Sequence, residues 1–242
     1  MSVEPEGRSA CATMPVRRIF WRVPGNSTKR KRGLFRRLVR WFLTLVVAFY
    51  VCVALGLFAL RWIDPPFTMV HVQRRIESWS HLGPYRKHYQ FERLADISPE
   101  FQHAVIAAED TRFFHHHGFD WVEVQDAVED GLEDRKIRGA STIDEQLAKN
   151  LFLTTHRSIF RKGIEVTLVP IEELMLSKKR ILELYLNVVE WGPGLYGAEA
   201  AARHYYGVPA ARVGREQGAR LPHRMAVRAM RGASCVLQEL LP

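Results

Sequence analysis

Over most of this chain, apolar residues recur with a helical period. The run Trp41–Leu60, WFLTLVVAFYVCVALGLFAL, has no polar face at all. Its 20 residues carry no charge, and that is the length a helix needs to cross about 30 Å of hydrocarbon. Buried helices of soluble domains rarely run so far without a polar face. Asp64-Pro65-Pro66 then forms a stiff exit, because both prolines fix their backbone and resist helix. Residues 68–97 show no period that assigns them to one element.

From Ser98 the pattern sharpens. Ser98 is a predicted N-cap with Pro99 at the first helical position. Phe101, Val105 and Ala108 form an inward stripe that Glu109, eight residues from Phe101, continues into the last turn. Asp120 is predicted to cap a second helix with Glu123 as its capping-box partner, and Trp121, Val124, Val128 and Leu132 are its core stripe. The basic turn RKIRG leads to a third helix, STIDEQLAKNLF. Its cap is Ser141 with Asp144 or Thr142 with Glu145. Ile143, Leu147 and Leu151 face inward, while Gln146, Lys149 and Asn150 lie on other faces. A fourth run, RSIFRKGIEVTLVPIEELML, carries Pro170 and a predicted kink. A fifth helix starts at Ser177, and a sixth, AEAAARHYY, stops at Gly207. EWGPGLYG between them reads as a glycine-rich loop. No strand-like alternation of any length follows Ser98, so the fold class is mainly α.

Charge changes the picture at one end only. Residues 1–40 hold eleven basic side chains and two acids, which accounts for the whole net charge of +9. The remainder is balanced. A nucleic-acid partner calls for a basic surface on the folded part, so that class is excluded. The positive-inside rule puts the basic arm, 1–40, in the cytoplasm and the chain beyond the 41–61 span outside. Residues 62–97 form a membrane-proximal lead-in. Cys11, Cys52 and Cys235 then sit in three different environments, so no intramolecular disulfide is expected.

Two carboxylates stand out by context. A carboxylate on the inward face of a helix's last turn is desolvated and meets the negative end of the dipole. Both effects favour the protonated form, the tuning a general acid or base needs. That describes Glu109; the bland alternative is a pair with Arg112. Glu165 lies one turn from Arg161, beside Lys162. Such an i, i+4 pair is commonly a solvated one. Lys149, Arg157, Arg161 and Lys162 together also suit an anionic group such as a diphosphate. His115, His116 and His117 point in three directions, and no HExxH or Cys–His spacing exists, so zinc is not expected. There is no Walker loop, GxGxxG or GxSxG.

Five segments, in order, resemble the family 51 glycosyltransferases, the peptidoglycan transglycosylases. EDTRFFHHHG is similar to E-D-x-x-F-x-x-H-x-G, met by Glu109, Asp110, Phe113, His116 and Gly118. GASTIDEQLAKN is similar to G-x-S-T-[IL]-[ST]-Q-Q-L-x-K-N. RKGIE resembles R-K-x-x-E, KKRILELYLN resembles K-x-x-I-L-E-x-Y-L-N, and AARHYYG resembles the fifth motif. The resemblance covers roughly Ile97 to Leu221 and points to the monofunctional biosynthetic form.

It implies a lysozyme-like helical domain, 98–221, preceded by a single transmembrane helix in the bacterial inner membrane. Lipid II and the nascent glycan strand would be its substrates, joined with inversion as undecaprenyl pyrophosphate leaves. Glu109 would be the general base, and Glu165 would assist the leaving group directly or through a divalent cation (Mg or Mn); no other cofactor is implied. Lys149, Arg157 and Lys162 would neutralise phosphate. Asp110, Phe113, His116, Gly118, Ser141, Thr142, Gln146, Asn150 and Asn187 would shape or support the substrate cleft. Cell-wall synthesis or division proteins would be its partners.

Two features depart from the pattern. Asp144-Glu145 stands where the family has Ser/Thr-Gln, which adds negative charge near a phosphate site. After Leu221 the text PHRMAVRAMRGASCVLQELLP reads as a frameshift or a divergent, shortened end. Two other readings compete: a glycan-cleaving lysozyme-like enzyme, and a membrane-tethered partner disabled by its altered end.

Overall fold

The computed structural model describes residues 27–80, 85–132, 141–156 and 158–221. The chain divides into two units, residues 1–47 and 48–242. The RKIRG turn, Arg157 and the altered end after Leu221 lie outside the described residues.

Helix α1 (Ser27–Leu60) begins in the first unit. Its apolar part, Phe35–Leu60, is 26 residues with mean hydropathy 2.6. That stretch is about 39 Å long, ample to cross a membrane. From Phe35 to Val47 its side chains are exposed, as a lipid-facing surface requires.

In the second unit the last turns of α1 join the core. Val53 and Leu57 are buried, and the Tyr50 hydroxyl lies 2.6 Å from Thr167 Oγ1. Arg180 closes the helix end. Its guanidinium donates to the Leu60 carbonyl at 2.8 Å, the Ile63 carbonyl at 3.1 Å and Asp64 Oδ1 at 2.8 Å. A cation over terminal carbonyls both satisfies them and complements the dipole.

The lead-in resolves into α2 (Met69–Ser80), a short β1 (His88–Tyr89) and a 3₁₀ turn at Leu94–Asp96. Then come α3 (Pro99–Glu109), α4 (Trp121–Leu132), α5 (Ile143–Phe152), α6 (Ile159–Met175), α7 (Lys178–Val188) and α8 (Ala198–Tyr206). Most of the predicted caps are in place. Ser98, Thr142 and Ser177 accept from the N–H groups of Phe101, Glu145 and Arg180, and Asp120 Oδ1 accepts from those of Val122 and Glu123. Gly207 ends α8 in the left-handed region at φ 69°. Helix α6 runs on through Pro170.

Helix α5 is the centre of the unit, packed against α2, α6 and α7. Ile143, Leu147 and Leu151 face inward as predicted, and each apolar side chain so buried stabilises by about 1.5–3 kcal/mol. Because neighbours surround α5, Asn150, Asp144 and Glu145 are buried as well; an outward face for Asn150 does not exist. Two other stripe positions differ. Trp121 is 71% exposed, its ring resting only on Phe119 at the surface. Ala108 is exposed because the last turn of α3 stands clear of the core.

EWGPGLYG is a hairpin. Strand β2 (Glu190–Gly192) pairs antiparallel with β3 (Leu195–Tyr196), which also pairs parallel with β1, giving the order β1-β3-β2. Strands of two or three residues are too short to leave an alternating pattern.

Two buried features carry predictions. Gly118 has φ +80°, and a Cβ there would stand 2.3 Å from Val169 Cγ1. Gly118→Ala is therefore expected to destabilise the fold by roughly 1–3 kcal/mol, read as a lowered melting temperature.

Beside it, Asp144, Glu172 and Glu173 surround one cation, Lys178. The ammonium sits 3.0 Å from Asp144 Oδ2 and 2.5 Å from Glu173 Oε1. One charge cannot balance three buried carboxylates. Burial pushes Asp144 up to about 8 against the pull of Lys178, with the Glu173 carboxylate adding to the rise. Burial also raises Glu172 well above the ordinary carboxylate range. Burial works on Glu173 too, but hydrogen bonds from Lys178 and Asp144 outweigh it and hold Glu173 low.

The folded state thus keeps a proton on Asp144 that the unfolded chain releases near 4. Its contribution to stability is present below that value and is lost as pH rises towards 8. Asp144→Asn removes the titration, so its melting temperature relative to the parent should rise by several degrees between pH 5 and pH 8. A pH-independent difference would contradict this.

Candidate active site

The end of α3 and the start of α5 are joined by one buried carboxylate. Asp110 caps α3 in extended backbone, with φ −163°. Its Oδ2 accepts from the Ile143 N–H at 3.0 Å, the first residue of α5, and its two oxygens lie 2.9 and 3.0 Å from His116 Nε2. An anionic side chain at a helix N-terminus satisfies an orphan donor and complements the dipole. This junction sets Glu109, one residue earlier, against Gln146 on the first turn of α5.

Glu109 is half-buried, and its Oε2 accepts from Gln146 Nε2 at 2.9 Å. The Tyr185 hydroxyl donates to Gln146 Oε1 at 3.1 Å. Burial, with the Glu109 and Asp110 charges behind it, drives Tyr185 well above the ordinary tyrosine value, so it stays a donor. That fixes the amide with its NH2 towards Glu109. The other oxygen of Glu109 has no protein donor among the described residues. Arg112 does not pair with Glu109; it lies 3.4 Å from Asp120 Oδ1 instead.

The second carboxylate, Glu165 on α6, is 4% exposed at its side chain, so the Arg161 pair is not a solvated one. Oε2 accepts from Arg161 at 2.5 Å and Oε1 from Lys162 Nζ at 2.7 Å. Lys162 also donates to Glu145 Oε2 at 2.8 Å. Burial lowers the Lys149 ammonium, the Glu165 carboxylate pulls it back up, Arg161 and Lys162 push it down, and Glu109 raises it. Lys149 is thus the side chain that feels both glutamates.

Gln146, Lys149 and Asn150 line one wall of a cavity of about 550 Å³. The opposite walls are Val70 and Arg74 from α2, Tyr85, Thr155 and the Val189–Gly194 segment. Arg74 crosses to Glu190 Oε2 at 3.0 Å. Sequence reasoning did not find Arg74, Glu190 or Tyr185. The first lies in the unpatterned lead-in, and the other two read as parts of a loop and of a core stripe.

The remaining motif residues stand behind the cleft wall. Phe113 is fully buried beneath the Lys178 ammonium, 4.4 Å from its ring centroid. Thr142 Oγ1 donates to the Gly118 carbonyl at 2.7 Å. Asn187 clasps Glu92 through both its carbonyl and its N–H, at 2.8 Å each. Ser141 is half-buried beside the α5 cap. Asp110, His116 and Asp120 offer ligand atoms within 4.8 Å of one another. Asp110 accepts from Ile143 and Asp120 Oδ1 from the α4 N-terminus, while Asp120 Oδ2 and His116 Nδ1 are buried with no hydrogen-bond partner among the described residues. His115 and His117 are exposed.

A half-buried glutamate on α3 and a buried one on α6, both acting on one lysine of α5 that lines a cavity, suit acid–base chemistry on a substrate with an anionic group. The sequence profile of the transglycosylase family matches residues 76–227, from the end of α2 through α8. The chain is 43% identical over 190 residues to the biosynthetic peptidoglycan transglycosylase of Pseudomonas aeruginosa, covering 78% of this chain and 80% of that one. The enzyme of the same name from Shewanella oneidensis is 44% identical over 190 residues, with the same coverage. That from Aeromonas hydrophila is 44% identical over 189 residues, again covering 78% and 80%. Motif order, helical fold and these matches lead to one conclusion: the chain belongs to the transglycosylase family.

Proposed function

We propose that this transglycosylase is a peptidoglycan glycosyltransferase that polymerises lipid II into β-1,4-linked glycan and releases undecaprenyl pyrophosphate. The observation that carries the reading is Lys149, a cation lining the cleft within the field of both Glu109 and Glu165. Glu109, with one oxygen held by Gln146 and the other unclaimed, is the general base. It takes the proton of the acceptor 4-hydroxyl as that oxygen attacks the donor sugar carbon, and the bond to the diphosphate breaks with inversion. Lys149, Arg161 and Lys162 stabilise the charge that develops on the leaving diphosphate. Glu165 holds Arg161 and Lys162 in place for it. A glycan-cleaving enzyme has no use for such a cation cluster, because hydrolysis of a glycosidic bond releases no diphosphate.

The apolar helix α1 is the membrane anchor. Its basic N-terminal flank argues for a cytoplasmic arm and a catalytic unit on the outer face of the inner membrane, where the lipid-linked substrate is used.

A divalent cation beside Glu165 does not fit the residues present. Both carboxylate oxygens already accept from cations, Arg161 and Lys162, and a metal would meet their repulsion. Chelation followed by dialysis is expected to leave the polymerisation rate within about twofold of the parent, and restoration of a lost rate by Mg or Mn would contradict this. Glu109→Gln keeps the shape and the Gln146 contact but cannot take a proton. Polymerisation of labelled lipid II by that variant should fall at least about 100-fold, with lipid II binding and melting temperature nearly unchanged. Near-normal glycan synthesis would remove Glu109 from the role.

A further inference from the structure

Glu145 sits at the third position of α5, where a glutamate commonly reaches back to the N-cap backbone. Here only half of that box forms. The Glu145 N–H donates to Thr142 Oγ1 at 3.2 Å, while the carboxylate turns to Lys162 Nζ at 2.8 Å. The same ammonium serves Glu165 at 2.7 Å. Glu145 is buried and Lys162 is 41% exposed at its side chain, so the lysine is the mobile partner and the carboxylate the fixed one. An ammonium has three donors; two are taken before any substrate arrives. Lys149, by contrast, has no hydrogen-bond or ion-pair partner among the described residues.

From this geometry we propose that Glu145 is a built-in counter-anion that competes with the substrate's diphosphate for Lys162 and so sets how tightly the site holds its leaving group. The inference rests on the cleft being a diphosphate site. When the diphosphate enters, the Lys162 ammonium must share or give up the Glu145 contact, so only part of its attraction reaches the diphosphate. The net effect is weaker binding of substrate and product alike. That raises KM and speeds release of the diphosphate lipid.

The test uses the full chain in detergent, with inorganic pyrophosphate as the calorimetric probe and lipid II as the kinetic one. Glu145→Gln keeps the size and an acceptor for Lys162 while removing the charge. It should tighten pyrophosphate binding about tenfold and lower the lipid II KM by a similar factor. Glu145→Ala, which removes the charge by truncation, should change binding in the same direction. In a Lys162→Met background the Glu145→Gln gain should vanish, because the competition runs through that ammonium; a capping or packing role would persist there. Unchanged or weaker pyrophosphate binding by Glu145→Gln overturns the inference, as does an equal gain without Lys162. Lys149→Met separates this from failure of the site reading. If that change leaves pyrophosphate binding intact, the cleft is not a diphosphate site and both fall. If it weakens binding while Glu145→Gln does nothing, only the counter-anion is refuted.

Discussion

The bond from the Asp110 carboxylate to the Ile143 N–H is the constraint on which the site depends. It spans 33 residues of chain and joins the C-cap of one helix to the first residue of another. Without it the end of α3 is free to fray, and Glu109 has no fixed relation to Gln146. The junction is dry, braced by His116 and roofed by the Gly118–Thr142 contact. A buried, charge-assisted hydrogen bond of this kind costs little to keep and much to break, since the carboxylate would be left desolvated without a partner. The first motif therefore divides its labour. Glu109 meets Gln146 of the cavity wall, while Asp110, Phe113, His116 and Gly118 make the mount that holds it there.

The cleft floor follows a second physical rule, that charges taken out of water must be matched by partners. Glu165 answers Arg161 and Lys162; Glu145 answers Lys162 again; Lys149 is left to the cavity. Lys149, half-buried and without a hydrogen-bond or ion-pair partner among the described residues, carries the positive charge of this cluster that no carboxylate matches directly. The Asp144 cluster one turn away shows the opposite imbalance, three acids to one ammonium, and the chain meets it by keeping protons on carboxylates.

Much of this was legible in the amino-acid order because it is local. Ser98, Asp120, Thr142, Ser177 and Gly207 act within four residues of themselves, so caps and stops could be read directly. The α5 stripe obeyed its period. The motif resemblance brought Glu109 and Glu165 together across 56 positions, which no periodicity could do. What stayed hidden is set by distant partners. Asn150 and Glu145 look like outward residues until α2, α6 and α7 close around α5. Trp121 looks like a core residue because a period says which face it is on, not whether anything covers that face. The three short strands carry too few residues to alternate, and α2 is marked at its start only by Thr68, whose Oγ1 accepts from the His71 N–H at 3.3 Å.

The last turns of α1 have a double life. By composition they belong to the membrane; by packing, Val53 and Leu57 belong to the enzyme, and Arg180 from α7 grips the helix where it stops. The seam between anchor and catalyst therefore does not fall where the greasy run ends. A water-soluble version trimmed at Leu60 would pull a wall from the interior and take one acceptor from the Arg180 guanidinium, whereas one that begins near Ala48 would keep its core at the expense of a sticky stub. Residues 48–60 thus answer to two environments at once, the apolar run they complete and the interior that Val53 and Leu57 help to fill.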